Sequence, residues 1–406
     1  MYFKYLAPTT VFCSSSAYTL YKDLYHIKNK KKYNSEEVAK HNKNDDVWVS
    51  YKNKVYNVTD FVKYHPGGSD KIMEAAGKPL EPFWNVYKQH NGEVEALLKD
   101  YYIGDLIPDK NVTNSVKDPY QNEPSRTNFI NNVKVLKVEP FNSESSLIEL
   151  RKNYITPTKN WYIRNHHPVP KLDPKEYTLT LTSPNSERKY TLKDLKTKFN
   201  KKSIVATIQC AGNRRKEFQE LDKVSGLNWE GGAISTAKFS GVSLKELIKD
   251  ACDKNRFTLD YSLNLQLYGY DDPFDGSVKL NENLNILNNA LICYEMNDEE
   301  LTPDHGYPVK MILPGFSGAK NVKWLKEIKI DINESPSTWQ QGIAYKNFGP
   351  SVKSVKDITQ KMKLTTPTIE KMPVQSIICN IKKDDNEIII DGIAYSGGGN
   401  NILRVD

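Results

Sequence analysis

Between Tyr33 and Ile107 apolar and polar residues follow one another on short periods. Val47-Trp48-Val49 and Val55-Tyr56-Asn57-Val58 alternate like two strands, Ser35 with Glu36 and Glu37 opens a helix, and Thr59 or Asp60 caps the next turn. Helical stretches after Ser69 and after Gly92 complete a compact α+β unit. The next stretch, PDKNVTNSVKDPYQNEPSRTN, is polar, holds three prolines and has no apolar periodicity, so residues 108–124 read as a flexible linker. Beyond Phe129 strand-like runs (Tyr177–Leu181, Ser203–Ile208, Val309–Leu313, Trp324–Ile332) alternate with short helices such as Leu244–Cys252, which predicts one large α+β domain over 125–370. After Met372 the pattern changes to Val374–Ile381, Glu387–Ile393 and Ile402–Val405, three strands separated by turn residues and by Gly397-Gly398-Gly399. Residues 371–406 therefore read as the start of an all-β domain.

A chain of 406 residues has room for two or three domains, and 38% hydrophobic with 26% charged residues fits globular protein better than a membrane or wholly disordered chain. No run approaches the ~20 apolar residues of a membrane-spanning helix. The basic excess of 7 is spread along the chain rather than gathered in an arginine stripe, so nucleic-acid binding is not expected. Residues 1–32 carry six lysines against one aspartate among hydroxyl and aromatic residues, the composition of an organelle transit segment or of a lysine-rich disordered tail. Residues 33–107 are acidic, with nine lysines against twelve carboxylates. The five cysteines, Cys13, Cys210, Cys252, Cys293 and Cys379, are widely separated and odd in number, which argues against a disulfide framework or a zinc site.

The segment FVKYHPGGSDKIMEAAG puts His65 in a tight turn, and FWNVYKQHNGEVEALLKDYYIGDL puts His90 twenty-five residues later, each flanked by apolar helical residues. Two helix-loop-helix arms can present these imidazoles across an apolar slot. Neutral imidazole is a good ligand for haem iron, and Pro66-Gly67-Gly68 fixes the backbone while leaving room for a flat macrocycle. With both axial positions filled, the role is electron transfer. His41 and His26 lack such surroundings and are expected in solvent.

The string SIVATIQCAGNRRKEF places Cys210 at the end of an apolar strand, followed by Gly212, Arg214 and Arg215. Nearby guanidinium charge favours a thiolate, and glycine-containing backbone supplies N–H donors, so the sulfur is expected beside an anion, as a nucleophile or a metal ligand. Cys252 and Cys293 read as buried structural thiols.

Residues Tyr33 to Leu106, including VWVSYKNKVYNVTDFVKYHPGG, resemble a cytochrome b5-type haem domain, and KPLEPFWNVYKQH is similar to the haem domain attached to sulfite oxidases. The runs QCAGNRR, YIRNHHPVP, GLNWEGGAISTAKFSGVSL, YEMNDEELTPDHGYPVKMILPGFSGAKNVKWL and WQQGIAYKNF with PSVKS resemble the molybdopterin domain of the sulfite oxidase family. The resemblance covers nearly everything from Tyr33 to Asp406. It implies an α+β chain with a small haem-binding domain over 33–107, a large mixed molybdopterin domain over 125–370 and an incomplete immunoglobulin-like dimerisation domain over 371–406. It implies molybdenum-molybdopterin and haem b as cofactors, sulfite as substrate, cytochrome c as electron acceptor and the mitochondrial intermembrane space as location. The acidic haem module would dock in turn on the basic molybdenum domain and on a basic acceptor.

By the same resemblance His65 and His90 are the haem ligands and Cys210 binds molybdenum through sulfur. Arg164 and Arg215 would form the cationic substrate pocket, Tyr345 would donate a hydrogen bond near the metal, and Trp229 would wall the pocket. Cofactor contacts would come from Tyr162, Ile163, Arg164, Asn165, His166, Asp271, His305, Lys310, Asn321, Val322 and Lys323. Lys310 stands where the family usually has arginine, which exchanges a two-pronged donor for a point charge. The loop from Trp339 to Tyr345 is one residue longer than in better-known relatives, and the chain is shorter around Asp271. Two rival readings are a nitrate-reductase-like molybdoenzyme, in which the haem module follows the molybdenum domain, and a haem electron-transfer protein whose molybdenum domain has decayed. An immunoglobulin-like sandwich needs about 100 residues and about seven strands. Residues 371–406 are therefore expected as a truncated start of one, from a truncated gene model or a degraded paralogue, giving a poorly soluble monomer with weakened anion binding in place of the family's homodimer.

Overall fold

The computed structural model describes residues 31–406 apart from 66, 88–89, 91, 109–117, 223, 225, 253–262, 272–273, 281–287, 354–356, 386 and 398–399. Nearly all of the expected N-terminal tail, with Cys13 and His26, lies outside the described residues, as do the middle of the expected linker and Pro66, Gly398 and Gly399. The chain divides into two compact units, one running to Lys63 and from Ser69 to Lys117, the other made of Tyr64–Gly68 and Asp118–Asp406.

The smaller unit is built on a five-stranded sheet in the order Lys32–Tyr33, Tyr102–Leu106, Lys54–Asn57, Asp46–Tyr51, Asn42–Lys43. Alternation sends Val47 and Val49 inward to a core with Val58, Ile72, Leu80 and Phe83. Helix Ser35–Lys40 starts from a reciprocal cap, in which the Glu37 N–H donates to the Asn34 side chain and the Asn34 N–H to the Glu37 carboxylate, both at 2.8 Å. His41 departs from its expected place in solvent. Its ring stacks on Trp48 at 3.5 Å and 8°, and its Nδ1 meets the Asp46 carboxylate at 2.7 Å, so the imidazole is half-buried. Both partners come from the next strand, whose flat indole offers more contact than water does.

The larger unit holds two five-stranded sheets and smaller ones. In the first, Leu325–Asp331 lies parallel to Thr178–Ser183 and antiparallel to Asn264–Gly269, with Ile328 opposite Leu181 on one side and Leu267 on the other. These three residues are fully buried, and helix Leu244–Ala251 lays Leu244, Leu247 and Ile248 into the same core. In the second sheet, Lys202–Gln209 pairs antiparallel with Ile234–Ser243 along its whole length. Ile234–Ser243 then pairs with Leu291–Met296, which pairs with Lys310–Ile312 and sets Cys293 opposite Lys310. Cys252 and Cys293 are buried, as their sequence surroundings suggest. Residues 118–124 of the expected linker are packed: Tyr120 is buried, and the Glu123 carboxylate accepts the Val169 N–H at 2.7 Å.

At the C-terminal end Gln375–Asp384 and Glu387–Tyr395 form a two-stranded hairpin. The third expected strand, Ile402–Val405, is absent, because 401–406 meet no neighbouring strand to supply ladder hydrogen bonds. Ile378, Ile381, Ile388 and Ile390 of the hairpin face outward and are exposed. Among the described residues no helix is long and apolar enough to cross a membrane.

Leu181→Ala should destabilise the larger unit by about 2–5 kcal/mol, since a buried leucine at the centre of a packed sheet leaves a cavity that cannot collapse. A drop in the urea midpoint of that unit checks this, and a loss below about 1 kcal/mol would mean that its neighbours move in to fill the space.

Candidate functional site

Strand Lys202–Gln209 delivers Cys210 to the mouth of the second sheet, where the Cys210 N–H still donates to the Ala233 carbonyl at 2.9 Å. The chain then turns sharply: Asn213 N–H donates to the Cys210 carbonyl at 3.0 Å, and Gly212 N–H points at the Cys210 sulfur at 3.4 Å. Arg214, left-handed at φ 64°, leaves the turn outward and pairs with Glu217 on the surface. Arg215 goes inward. Its Nη1 donates to the Leu227 carbonyl at 2.8 Å, and Cβ atoms placed on Gly212 and Gly226 would come within 2.5 and 2.9 Å of the guanidinium. Two glycines are thus the jaws that hold this cation flat, and burial holds the guanidinium below its ordinary pKa.

Cys210 faces a cavity whose lining includes Tyr162, Ile163, Arg164 and His166. Arg164 is fixed by the Asn142 side chain at 3.0 Å and the Asn165 carbonyl at 2.8 Å, and its Nη2 meets His166 Nδ1 at 3.0 Å. A guanidinium only donates, so His166 Nδ1 is an acceptor and the neutral ring carries its proton on Nε2. Burial and the nearby Arg164 hold this imidazole well below its ordinary pKa, which keeps it neutral. Its Nε2–H therefore donates to the Tyr345 oxygen at 2.7 Å, leaving the hydroxyl hydrogen of Tyr345 to turn elsewhere. Burial pushes the Tyr345 hydroxyl up to about 12, so it stays protonated. The His166 ring is stacked on Phe274 at 5.0 Å and tilted against Trp339 at 4.3 Å, an aromatic slot that fixes its plane.

The lining also includes Asp271, His305, Lys310, Asn321 and Lys323. Lys310 and His305 are buried, and desolvation drags the Lys310 ammonium down to about 8. Among the described residues no carboxylate pairs with Lys310. His305 Nδ1 meets the Thr302 hydroxyl at 2.6 Å, while its Nε2 is buried without a partner. Lys323 donates to the Asn165 side chain and, at 2.9 Å, to the Asp304 carbonyl. Buried cations and an orphaned ring nitrogen need an anionic, hydrogen-bonding guest, and the donor set fits a pterin bearing a phosphate. Asn321 spends its side chain inside the wall, accepting from Leu313 N–H at 2.7 Å and donating to the Ser317 carbonyl at 2.9 Å.

Other residues expected here stand back from the cavity. Trp229 is 1% exposed and packs in the core with Trp161 and Phe239, and Val322 is turned into the core of the first sheet. Asn165 lies behind the lining and holds Lys323. Sequence reading missed Asp304, which lines the cavity beside His305, and the Phe274 and Trp339 rings around His166. Adjacency to His305 in DHGYPV was the available signal for Asp304.

The His65 turn is closed by Gly68 N–H donating to the His65 carbonyl at 2.9 Å, and His65 Nδ1 meets the Gly68 carbonyl at 2.9 Å. A carbonyl only accepts, so Nδ1 carries the proton and the lone pair sits on Nε2, the nitrogen a metal would take. A Cβ on Gly67 would come within 2.7 Å of the His65 ring. His90 packs against Trp84 at 4.7 Å, and Trp84 stacks on Tyr51 at 4.6 Å. Half-buried imidazoles among aromatic and aliphatic side chains suit a haem.

Residues 34–107 match the family model of the cytochrome b5-like heme/steroid binding domain, and residues 166–339 that of the oxidoreductase molybdopterin binding domain. The mitochondrial sulfite oxidase of Drosophila melanogaster is 38% identical over 94% of this chain and 68% of its own length. The sulfite oxidase of Gallus gallus is 38% identical over 92% of this chain and 82% of its own. The NADH nitrate reductase of Solanum lycopersicum is more distant, 32% identical over 66% of this chain and 31% of its own. Among solved structures, the sulfane dehydrogenase of Paracoccus pantotrophus shares the fold, with a TM-score of 0.51 over 72% of each chain at 19% identity.

Gly212→Ala should push the Arg215 guanidinium out of its slot. If that cation binds an oxyanion in the cavity, sulfate affinity measured by calorimetry should fall about tenfold to hundredfold, the worth of one hydrogen bond to a charged group. Unchanged affinity would take Arg215 out of the anion site.

Proposed function

The chain belongs to the sulfite oxidase family, and from that premise we propose that it oxidises sulfite to sulfate at a molybdenum cofactor and passes the electrons singly through a b-type haem. When bound, the molybdenum-molybdopterin group supplies a two-electron acceptor and the haem a one-electron carrier. The observation that carries the reading is the meeting of one cysteine with Arg164 and Tyr345 on a single cavity whose lining also holds the buried Lys310, which no carboxylate pairs among the described residues.

In this reading Cys210 holds the metal through sulfur, a soft and strongly donating ligand. Arg164 and Arg215 bind the sulfite anion, and Tyr345, its oxygen occupied by His166, turns its hydrogen toward the reacting oxygen. Tyr162, Ile163 and Asp271 border the pterin, while His305, Lys310 and Lys323 receive its polar and phosphate groups and Asn321 orders the wall behind them. Asn165, Val322 and Trp229 act from behind, through Lys323 and the core. His65 and His90 would hold the haem iron. Cytochrome c is the proposed acceptor and the mitochondrion the proposed compartment, with the intermembrane space as the place where the two meet. The order of modules, with the cytochrome b5-like region before the molybdopterin region, supports sulfite oxidase over nitrate reductase.

Sulfite added to the purified protein should bleach the oxidised haem spectrum, and metal analysis should find molybdenum beside iron. Iron without molybdenum would favour the decayed electron-transfer reading. Cys210→Ser should leave the fold intact and remove nearly all sulfite turnover, since an alkoxide is a harder and less donating ligand than a thiolate. Retained activity would remove Cys210 from the metal. His65→Ala or His90→Ala should abolish cytochrome c reduction while leaving sulfite oxidation with an artificial two-electron acceptor. Equal loss of both activities would contradict the separate roles of the two units.

A further inference from the structure

Arg126 lies far from the cavity in sequence and just beyond the expected linker, yet it reaches the cavity wall. Its Nε donates to Asp304 Oδ2 at 2.9 Å and its Nη2 to Asp304 Oδ1 at 2.7 Å, a two-pronged pair in which both side chains are largely buried. Nη2 also meets the Glu123 carboxylate at 2.5 Å, and the guanidinium lies over the Phe141 ring at 4.2 Å. Asp304 Oδ1 accepts a further bond from the Asn165 side chain at 3.1 Å. Both oxygens of Asp304 are thus spoken for before Lys323 is considered.

Lys323 stands next to this carboxylate without bonding to it. Its ammonium donates to the Asp304 backbone carbonyl at 2.9 Å and to the Asn165 side-chain oxygen, both neutral acceptors. We propose that Arg126 is a positioning residue of the cavity: by occupying both oxygens of Asp304 it stops that carboxylate from neutralising Lys323, whose charge is left for an anionic group of the guest. The inference rests on the cofactor reading above and deepens it. Without Arg126, Asp304 would be a buried carboxylate lacking its partner, and Lys323, whose ammonium already donates to the carbonyl of the same residue, is at hand to satisfy it. The ammonium would then swing from the cavity to the carboxylate, and the guest would lose a countercharge.

The test compares full-length variants made in a host that supplies the cofactor, with molybdenum-to-iron ratio as readout and thermal midpoint as a check on folding. Arg126→Met should lower the ratio about tenfold, the worth of one charge-assisted contact. Arg126→Lys, which keeps the charge, should fall less. Arg126→Met combined with Asp304→Asn should recover much of the ratio that Arg126→Met loses, because no carboxylate is left to compete for Lys323. A merely structural ion pair would behave otherwise, with the double variant losing molybdenum as Arg126→Met does. That result, or an unchanged ratio in Arg126→Met, would overturn the proposal. A wild-type chain carrying iron but no molybdenum would overturn the cofactor reading itself, and the proposal with it.

Discussion

Positive charge held out of water without an equal number of carboxylates is the constraint around which the larger unit is arranged. A buried ammonium or guanidinium is costly unless its protons find acceptors, and a carboxylate that accepted them would also cancel the charge. The chain resolves this with neutral oxygen. Arg164 gives protons to the Asn142 side chain and the Asn165 carbonyl, Arg215 to the Leu227 carbonyl, and Lys323 to the Asp304 carbonyl. Each contact satisfies donors while leaving the charge in place.

The fold serves this arrangement by ending strands where donors are required. Lys202–Gln209 stops one residue short of Cys210, Ile163–Arg164 is a two-residue strand, and Lys310 opens a strand whose neighbour places Cys293 opposite it. Strand ends leave side chains rigidly attached yet facing open space, which a strand centre cannot do and a long loop does less precisely. The glycines at 212 and 226 extend the same logic to Arg215, since any larger residue would occupy the guanidinium's slot.

Much of this was legible in the chain because it depends on neighbours in sequence. Strand alternation marked Val47-Trp48-Val49 and Tyr177–Leu181, and the turn at His65 and the glycine and arginines after Cys210 marked both candidate centres. What stayed hidden depends on distant partners. The pair of Arg126 and Asp304 joins positions 178 residues apart, so neither residue carries a local sign of it. Trp229 was expected on the cavity and lies in the core, because a glycine-rich segment has no periodicity to say which way its one large side chain turns. His41 had no apolar helical flanks, and its stacking partner Trp48 arrives only when the next strand folds back. Ile402–Val405 has the composition of a strand, but composition does not supply the second strand that would make it one.

The bond from His166 to Tyr345 determines more than the position of a ring. With the imidazole proton spent on the phenol oxygen, that oxygen has one hydrogen to offer and a lone pair already taken. An incoming atom at that spot is met by a hydrogen, and Arg164 beside it also presents only hydrogens. Such a corner reads lone pairs: it welcomes an oxygen-rich, unprotonated guest and repels an amine or a metal cation of the same size. Protonating the guest would remove the feature being read, so the cavity is selective for a charge state as much as for a shape, and that discrimination is set by the direction in which one imidazole carries its proton.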